Sequence, residues 1–241
     1  METSTYVALS GQIALERRMA TLAQNIANAS TVGYRGEVQD FKAVASRAGP
    51  SVTDFALPGD THVDQSNGGL SQTKNPLDVA VKGQGFFGFQ DSSGTLTYSR
   101  DGRLTLASDG RLLNSAGAAI VDSGGAAIQL DPNSPDVAIG PDGSILQAGT
   151  RKGQIGLYQL DFTGGFDRSA GASFTPKQTP SVLTDFNQNG VIQGYVEDSN
   201  VNAATAMTSL IQISRAFEAI SSLSQSASDA QKSAIDVLGS R

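Results

Sequence analysis

The run from Val201 onward constrains this chain more than any other segment. Ala203, Ala206, Leu210, Ile213, Phe217, Ile220, Ser224, Ala227, Gln231, Ala234 and Leu238 follow one another in alternating steps of three and four, the spacing of a heptad seam along one face of an α-helix. The seam is richest from Leu210 to Ile220 and small or polar beyond, while Met207 and Ile211 open a second face. Asp198, Ser199 and Asn200 are N-cap candidates, and Gly239 stands where a helix would end. Burying Leu210, Ile213, Phe217 and Ile220 stabilises the helix by about 6–12 kcal/mol, at ~1.5–3 kcal/mol each. Ordering the backbone costs ~1–2 kcal/mol per residue, only partly offset by helical hydrogen bonds. One thin seam does not hold so long a helix alone.

The opposite end of the chain offers a partner. Residues 3–29 contain no proline and a single glycine, Gly11. Tyr6, Leu9 and Ile13 recur at i, i+3, i+7, and Leu15, Met19, Leu22 and Ile26 at i, i+4, i+7, i+11. The centres of these two stripes lie roughly 140° apart on a helix. A helix packed on one neighbour needs one stripe, so two stripes predict neighbours on two sides. The assembly positions expected from this pattern are Leu9, Ile13, Leu22 and Ile26, with Leu210, Ile213, Phe217 and Ile220 opposite them. For any one of these the competing reading is ordinary intramolecular core.

Between the ends the pattern changes. Gly33 and Gly36 stop the first helix, and Pro50, Pro58, Gly59, Gly68 and Gly69 mark residues 46–75 as irregular. From about Asn75 to Tyr195 short alternating runs such as Leu77–Val81 are separated by Asp101-Gly102, Asp109-Gly110, Asp142-Gly143 and Asn189-Gly190, which supply the positive φ of tight hairpins. No crossover helix is visible between Lys82 and Gly194, so the strands are expected to be antiparallel; residues 163–181 read as a loop. The expected fold class is α+β. Residues 1–45 and 196–241 form a discontinuous, coiled-coil-like helical domain, 46–75 a linker, and 76–195 a β-rich domain.

Composition narrows the chemistry. The 241 residues carry 17 Lys+Arg against 23 Asp+Glu, a net charge of −6 with no basic block, which disfavours nucleic acid and anionic lipid as partners. There is no cysteine and one histidine, His62, leaving little room for thiolate, zinc or histidine-dependent catalysis. Asp185-Phe186-Asn187-Gln188-Asn189-Gly190 imitates an EF-hand opening, but Val196 stands where the bidentate Glu belongs and Glu197 is one residue late. Asp122-Ser123-Gly124-Gly125 resembles the serine neighbourhood of trypsin-like proteases and is better explained as a glycine turn. Lys82-Gly83-Gln84-Gly85-Phe86-Phe87 lacks phosphate-loop spacing and reads as a strand corner. The opening Met1-Glu2-Thr3-Ser4-Thr5 has no basic start or apolar run, so an ordinary cleaved signal peptide is not expected. A β-domain enzyme or carbohydrate-binding module is the competing class, and it would need a carboxylate cluster that the sequence does not reveal.

Three stretches carry a resemblance. Ala23-Gln24-Asn25-Ile26-Ala27-Asn28-Ala29-Ser30-Thr31-Val32-Gly33-Tyr34-Arg35 resembles the A-x-N-I-A-N-x-x-T-x-G-[YF]-[KR] signature of flagellar rod and hook proteins. Leu77-Asp78-Val79-Ala80-Val81-Lys82-Gly83-Gln84-Gly85-Phe86-Phe87, followed by Tyr98-Ser99-Arg100-Asp101-Gly102, is similar to their middle segment. Gly194-Tyr195-Val196-Glu197-Asp198-Ser199-Asn200-Val201 is similar to G-x-x-E-x-S-N-V near their C-termini, and Phe217 stands where relatives often have Tyr. Hook proteins carry extra outer domains, and the smallest rod proteins lack most of the middle. The length, the opening Tyr6–Arg18 and the compact 46–75 stretch resemble the proximal rod type, with the distal rod type as the alternative. The resemblance implies helical self-association, contacts with other proximal and distal rod proteins, export through the flagellar type III apparatus, a place in the periplasm-spanning basal body, and no cofactor. If both ends await neighbours, limited proteolysis of the dilute, isolated chain is expected to trim both termini and leave a resistant core near residues 76–195.

Overall fold

The computed structural model describes residues 2–46, 53–134, 136–169, 172–186 and 188–239. Two compact units divide the chain: Met1–Ala27, Glu37–Val63 and Asn202–Arg241 make one, and Asn28–Gly36 with Asp64–Val201 the other.

The first unit holds helix α1 (Glu2–Ala27), strands β1 (Glu37–Ser46) and β2 (Thr53–Val63), and helix α2 (Ala203–Gly239). At 1.5 Å per residue the helices extend about 39 and 56 Å. They lie side by side: Gln12 Nε2 donates to Ser221 Oγ at 2.9 Å, and Gly11 faces Ile220, whose Cδ1 would lie 3.7 Å from an added Cβ. The N-cap of α2 is Asn202, whose Oδ1 accepts from Thr205 N at 3.1 Å. The expected candidates one turn earlier are engaged elsewhere. Asp198 accepts from Ser71 Oγ, and Asn200 binds backbone groups of Gly36, Asp64 and Ser66.

The expectation of an irregular 46–75 stretch is corrected by β2, which pairs antiparallel with β1 along its length. A register shift between Gln39 and Phe41, opposite Gly59-Asp60, interrupts the ribbon. The extra residue lies in β2, where Gly59 and Asp60 stand opposite Asp40, and it swaps the facing of side chains along β2, so the alternation of that strand is invisible in the sequence. On α2 the seam positions Ala206 and Ile213 are buried, and Ala203, Leu210, Phe217, Ile220 and Ser224 half-buried; residues 225–230 are exposed.

The second unit is the antiparallel β-rich body. Among the described residues every strand pair is antiparallel. Strand β3 (Leu70–Gln72) pairs with Tyr195–Glu197, and β4 (Val79–Lys82) with Gly190–Gln193. Strand β5 (Phe86–Gln90) is the hub, hydrogen-bonded to β6 (Leu96–Ser99), to Ala119–Ile120 and to Leu157–Gln159. Val79, Val81, Phe87, Phe89, Leu112, Ile120, Ile145 and Leu157 form the central core.

Residues 163–181 are not a loop. Phe166–Arg168 pairs with Ser173–Pro176, which continues onto β6, and Phe86, Phe162, Phe166 and Phe174 pack edge to face with centroids 5.2–6.0 Å apart. Isolated aromatics in a polar stretch carry no local period, and ring packing from distant segments holds the strands. The predicted hairpin glycines divide in two. Gly110 and Gly143 have φ of 85° and 77°. Gly102 is required for another reason, because a Cβ there would lie 1.8 Å from Val79 O.

Truncating the fully buried Phe174 is expected to lower the unfolding free energy by about 3–5 kcal/mol in urea titrations. Val182→Ala, at an exposed strand position, is expected to change it by less than about 0.5 kcal/mol.

Candidate assembly surface

In the first unit the eight expected assembly positions separate. Leu9 and Ile13 are 49% and 43% exposed, and Tyr6 beside them is 61% exposed, so the first stripe of α1 is an open apolar ridge. Ile213 is 7% exposed, and Leu22, Ile26, Leu210, Phe217 and Ile220 are half-buried within this one chain. On α2, Met207, Ile211 and Leu223 are exposed, and on the ribbon Val38, Phe41, Val44 and Leu57. Elsewhere in the unit a groove of about 610 Å³ runs between α1, the ribbon and α2, lined by Val7, Ala8, Gly11, Phe55, Ile220 and Leu223 among others. The ribbon's contribution had no sequence signal beyond four apolar residues spread through a Pro/Gly-interrupted stretch.

In the second unit, residues from all three resemblance motifs meet at one buried carboxylate. Glu197 is 1% exposed. Its Oε1 lies 2.7 Å from Arg35 Nη2 and accepts from Gly68 N at 2.9 Å; its Oε2 accepts from Arg100 Nη1 at 2.9 Å. Arg35 also donates to Ser66 O and to Asn67 Oδ1, and Arg100 to Gly83 O. Gly33 N donates to Glu197 O at 2.7 Å. Gly33 has φ of 69°, and a Cβ there would come within 2.2 Å of Asp101 N. Arg168 donates to Arg35 O and stacks over the rings of Tyr34 and Phe174 at 4.4 and 4.5 Å.

Two guanidiniums around one carboxylate leave one net positive charge out of water. Burial pushes Arg100 down to about 10 against the opposing pull of Glu197, and lowers Arg35 in the same direction for the same reason. Both remain charged at neutral pH. This is a structural clamp between segments far apart in sequence.

The motifs that imitate catalytic or metal sites are turns. Asp122 Oδ1 accepts from Gly124 N and Ala126 N, closing the glycine turn. His62 Nδ1 sits 3.4 Å from Asp40 Oδ2 across the exposed ribbon. Asn189 Oδ1 accepts from Gln84 N, so the calcium-like loop is tied to the strand corner; its Asn187 lies outside the described residues. Among the described residues no three acidic, histidine or cysteine side chains are grouped as metal ligands, and no helix is long and apolar enough to cross a membrane.

Comparison with known proteins follows the same three segments. Residues 6–35 match the family described as "Flagella basal body rod protein", 80–147 the "Flagellar hook protein FlgE/F/G D1 domain", and 192–237 the "Flagellar basal body rod FlgEFG protein C-terminal". Each matched segment contributes one member of the ionic clamp: Arg35, Arg100 and Glu197. The chain is 41% identical to the flagellar basal-body rod protein FlgF of Mesorhizobium japonicum over 100% of both chains, and 40% identical to FlgF of Rhizobium meliloti over 99% of both. It is 32% identical to the FlgG rod protein of Buchnera aphidicola subsp. Schizaphis graminum, over 95% of this chain and 96% of that one. The chain belongs to the flagellar basal-body rod protein family. Within it the chain is FlgF-like, a structural component of the flagellar basal body rather than an enzyme.

Glu197→Gln removes the carboxylate charge from two buried guanidiniums and is expected to lower the unfolding free energy by about 3–5 kcal/mol. Lys42→Ala, which deletes an exposed pair with Asp60, is expected to leave it close to the wild-type value. Chemical denaturation midpoints of the two variants compare them directly.

Proposed function

We propose that this chain is a subunit of the proximal flagellar rod that assembles helically with copies of itself and with the neighbouring rod proteins, and that it transmits torque by mechanical interlocking. The observation that carries this reading is the open ridge of Tyr6, Leu9 and Ile13, an apolar stripe that nothing among the described residues covers. Apolar area of this kind on a helix marks an interaction surface. In this reading α1 and α2 pair as a coiled-coil-like inner domain. Leu9 and Ile13 make the intersubunit contact, while Leu22, Ile26, Leu210, Ile213, Phe217 and Ile220 hold the helices in the shape that presents them. The β-rich body contacts neighbours through its own surface. Export proceeds through the flagellar type III apparatus without a cleaved signal peptide, and neither lipid nor nucleic acid is a partner. The 41% and 40% identity to two FlgF proteins, against 32% to a FlgG protein, supports the proximal over the distal position.

A Leu9→Asp/Ile13→Asp variant tests this. It is expected to keep a thermal midpoint close to that of the wild type, because both residues are nearly half exposed, yet to abolish swarming when it replaces the wild-type gene. Ile213→Asp, at a buried position, is expected to unfold the first unit. Normal motility of the ridge variant would overturn the assembly role.

A further inference from the structure

We propose that the Tyr6–Leu9–Ile13 ridge of one copy seats in the groove between α1, the β1–β2 ribbon and α2 of a second copy, with the two α1 helices parallel. This rests on the rod-subunit reading and specifies the contact it requires. At 100° per residue, the groove-lining Val7, Ala8 and Gly11 are centred roughly 170° from Tyr6, Leu9 and Ile13. One helix therefore presents a concave apolar surface on one side and a convex one on the other. Such a pair of different, complementary surfaces makes a heterologous contact. Each copy gives its ridge to one neighbour and its groove to another, and the interaction repeats instead of closing on itself.

Charge sets the direction. Asn25 Nδ2 donates to Glu37 O at 2.7 Å, and the Arg18 guanidinium lies 5.3 Å from the Phe41 ring centroid, so β1 runs back along α1 from its C-terminal end. The end of the groove nearest Arg18 is marked by Lys42 and Asp60, an ion pair of 2.6 Å with both side chains in solvent. The same end of the ridge is marked by Glu16 and Arg17, which are exposed and form no ion pair among the described residues. Parallel helices bring Glu16 to Lys42 and Arg17 to Asp60 while apolar surface meets apolar surface. An antiparallel approach would lay Tyr6 on the Lys42–Asp60 pair and leave Glu16 near the exposed Asp54. Exposed pairs of this kind add little affinity, but they select orientation.

The register follows from the spacing. Ile13 is five helical residues, about 7.5 Å, from Arg18, and Ala43 is two strand residues, about 7 Å, from Phe41. Ile13 of one copy therefore comes level with Ala43 of the next. The chain has no cysteine, so introduced thiols report on this contact alone. In basal bodies isolated from cells carrying Ile13→Cys/Ala43→Cys, mild oxidation is expected to give a ladder of disulfide-linked multimers. A mixture of the two single variants is expected to stop at dimers, and neither single variant alone to link. Lys42→Glu is expected to reduce linking by about threefold, the scale of one exposed charge pair, and added Glu16→Lys to restore it. Incorporation without any linking, or self-linking of Ile13→Cys alone, would overturn the ridge-to-groove contact. An unchanged yield with Lys42→Glu would overturn the parallel orientation. Absence of the wild-type chain itself from basal bodies would instead overturn the rod-subunit reading.

Discussion

The side chain of Glu197 is the constraint on which the β-rich body depends. A carboxylate taken out of water is strongly destabilising unless its oxygens are occupied, and here both are. Oε1 takes Arg35 and the Gly68 amide, and Oε2 takes Arg100. The three side chains come from residues 35, 100 and 197, so one cluster joins the early, middle and late parts of the unit. Backbone contacts reinforce the same meeting point. Gly33 N bonds Glu197 O, and Asn200 spans Gly36, Asp64 and Ser66. An apolar cluster of similar volume would have been at least as stabilising. What charges add is intolerance of misalignment, because a strand shifted by one residue would leave a guanidinium buried and unmatched.

How much of this could be read beforehand depended on whether local period and final environment agreed. They agreed for α2, where steps of three and four from Ala203 to Ser224 coincide with the buried or half-buried face. For α1 they agreed along one stripe. The second stripe, Leu15 to Ile26, is half-buried within the chain, as a stripe facing a neighbour should be, while the first is exposed, and the neighbour expected there is a matter for the proposed contact. The ribbon was hidden by its own geometry. The bulge at Gly59-Asp60 breaks the alternation of β2, and Pro58-Gly59 reads as a breaker although it lies within that strand. Strands of three and four residues at Phe166 and Ser173 have no period to detect, and their stability comes from rings contributed by Phe86 and Phe162. The ionic clamp was the least legible feature. Arg35, Arg100 and Glu197 look like solvated charges one at a time, and only the family motifs that contain them marked the positions.

The first unit has the opposite character. Its ribbon has two strands, a size that is marginally stable without a packed face, and Phe41, Val44 and Leu57 remain in solvent. Its longer helix is exposed through residues 225–230, where the seam has become small and polar. The second unit buries a continuous core of valine, isoleucine, leucine and phenylalanine. The second unit is thus a body with its own packed core, and the first unit is the portion in which apolar surface stays open, the surface that the proposed contact would cover.

Symmetry then restricts how that surface can be used. A patch that pairs with itself about a two-fold axis satisfies both partners at once and ends growth, whereas a shaft must leave each added subunit ready for the next. That requires two unlike surfaces on one molecule, held at a fixed angle. An α-helix supplies the angle at no additional ordering cost, because residues 6, 9 and 13 and residues 7, 8 and 11 are placed on opposite sides by the same backbone. Gly11 lets Ile220 approach α1, which brings α2 close enough to form one wall of the groove. In the proposed contact, both unlike surfaces, and with them a direction of growth, would come from one element.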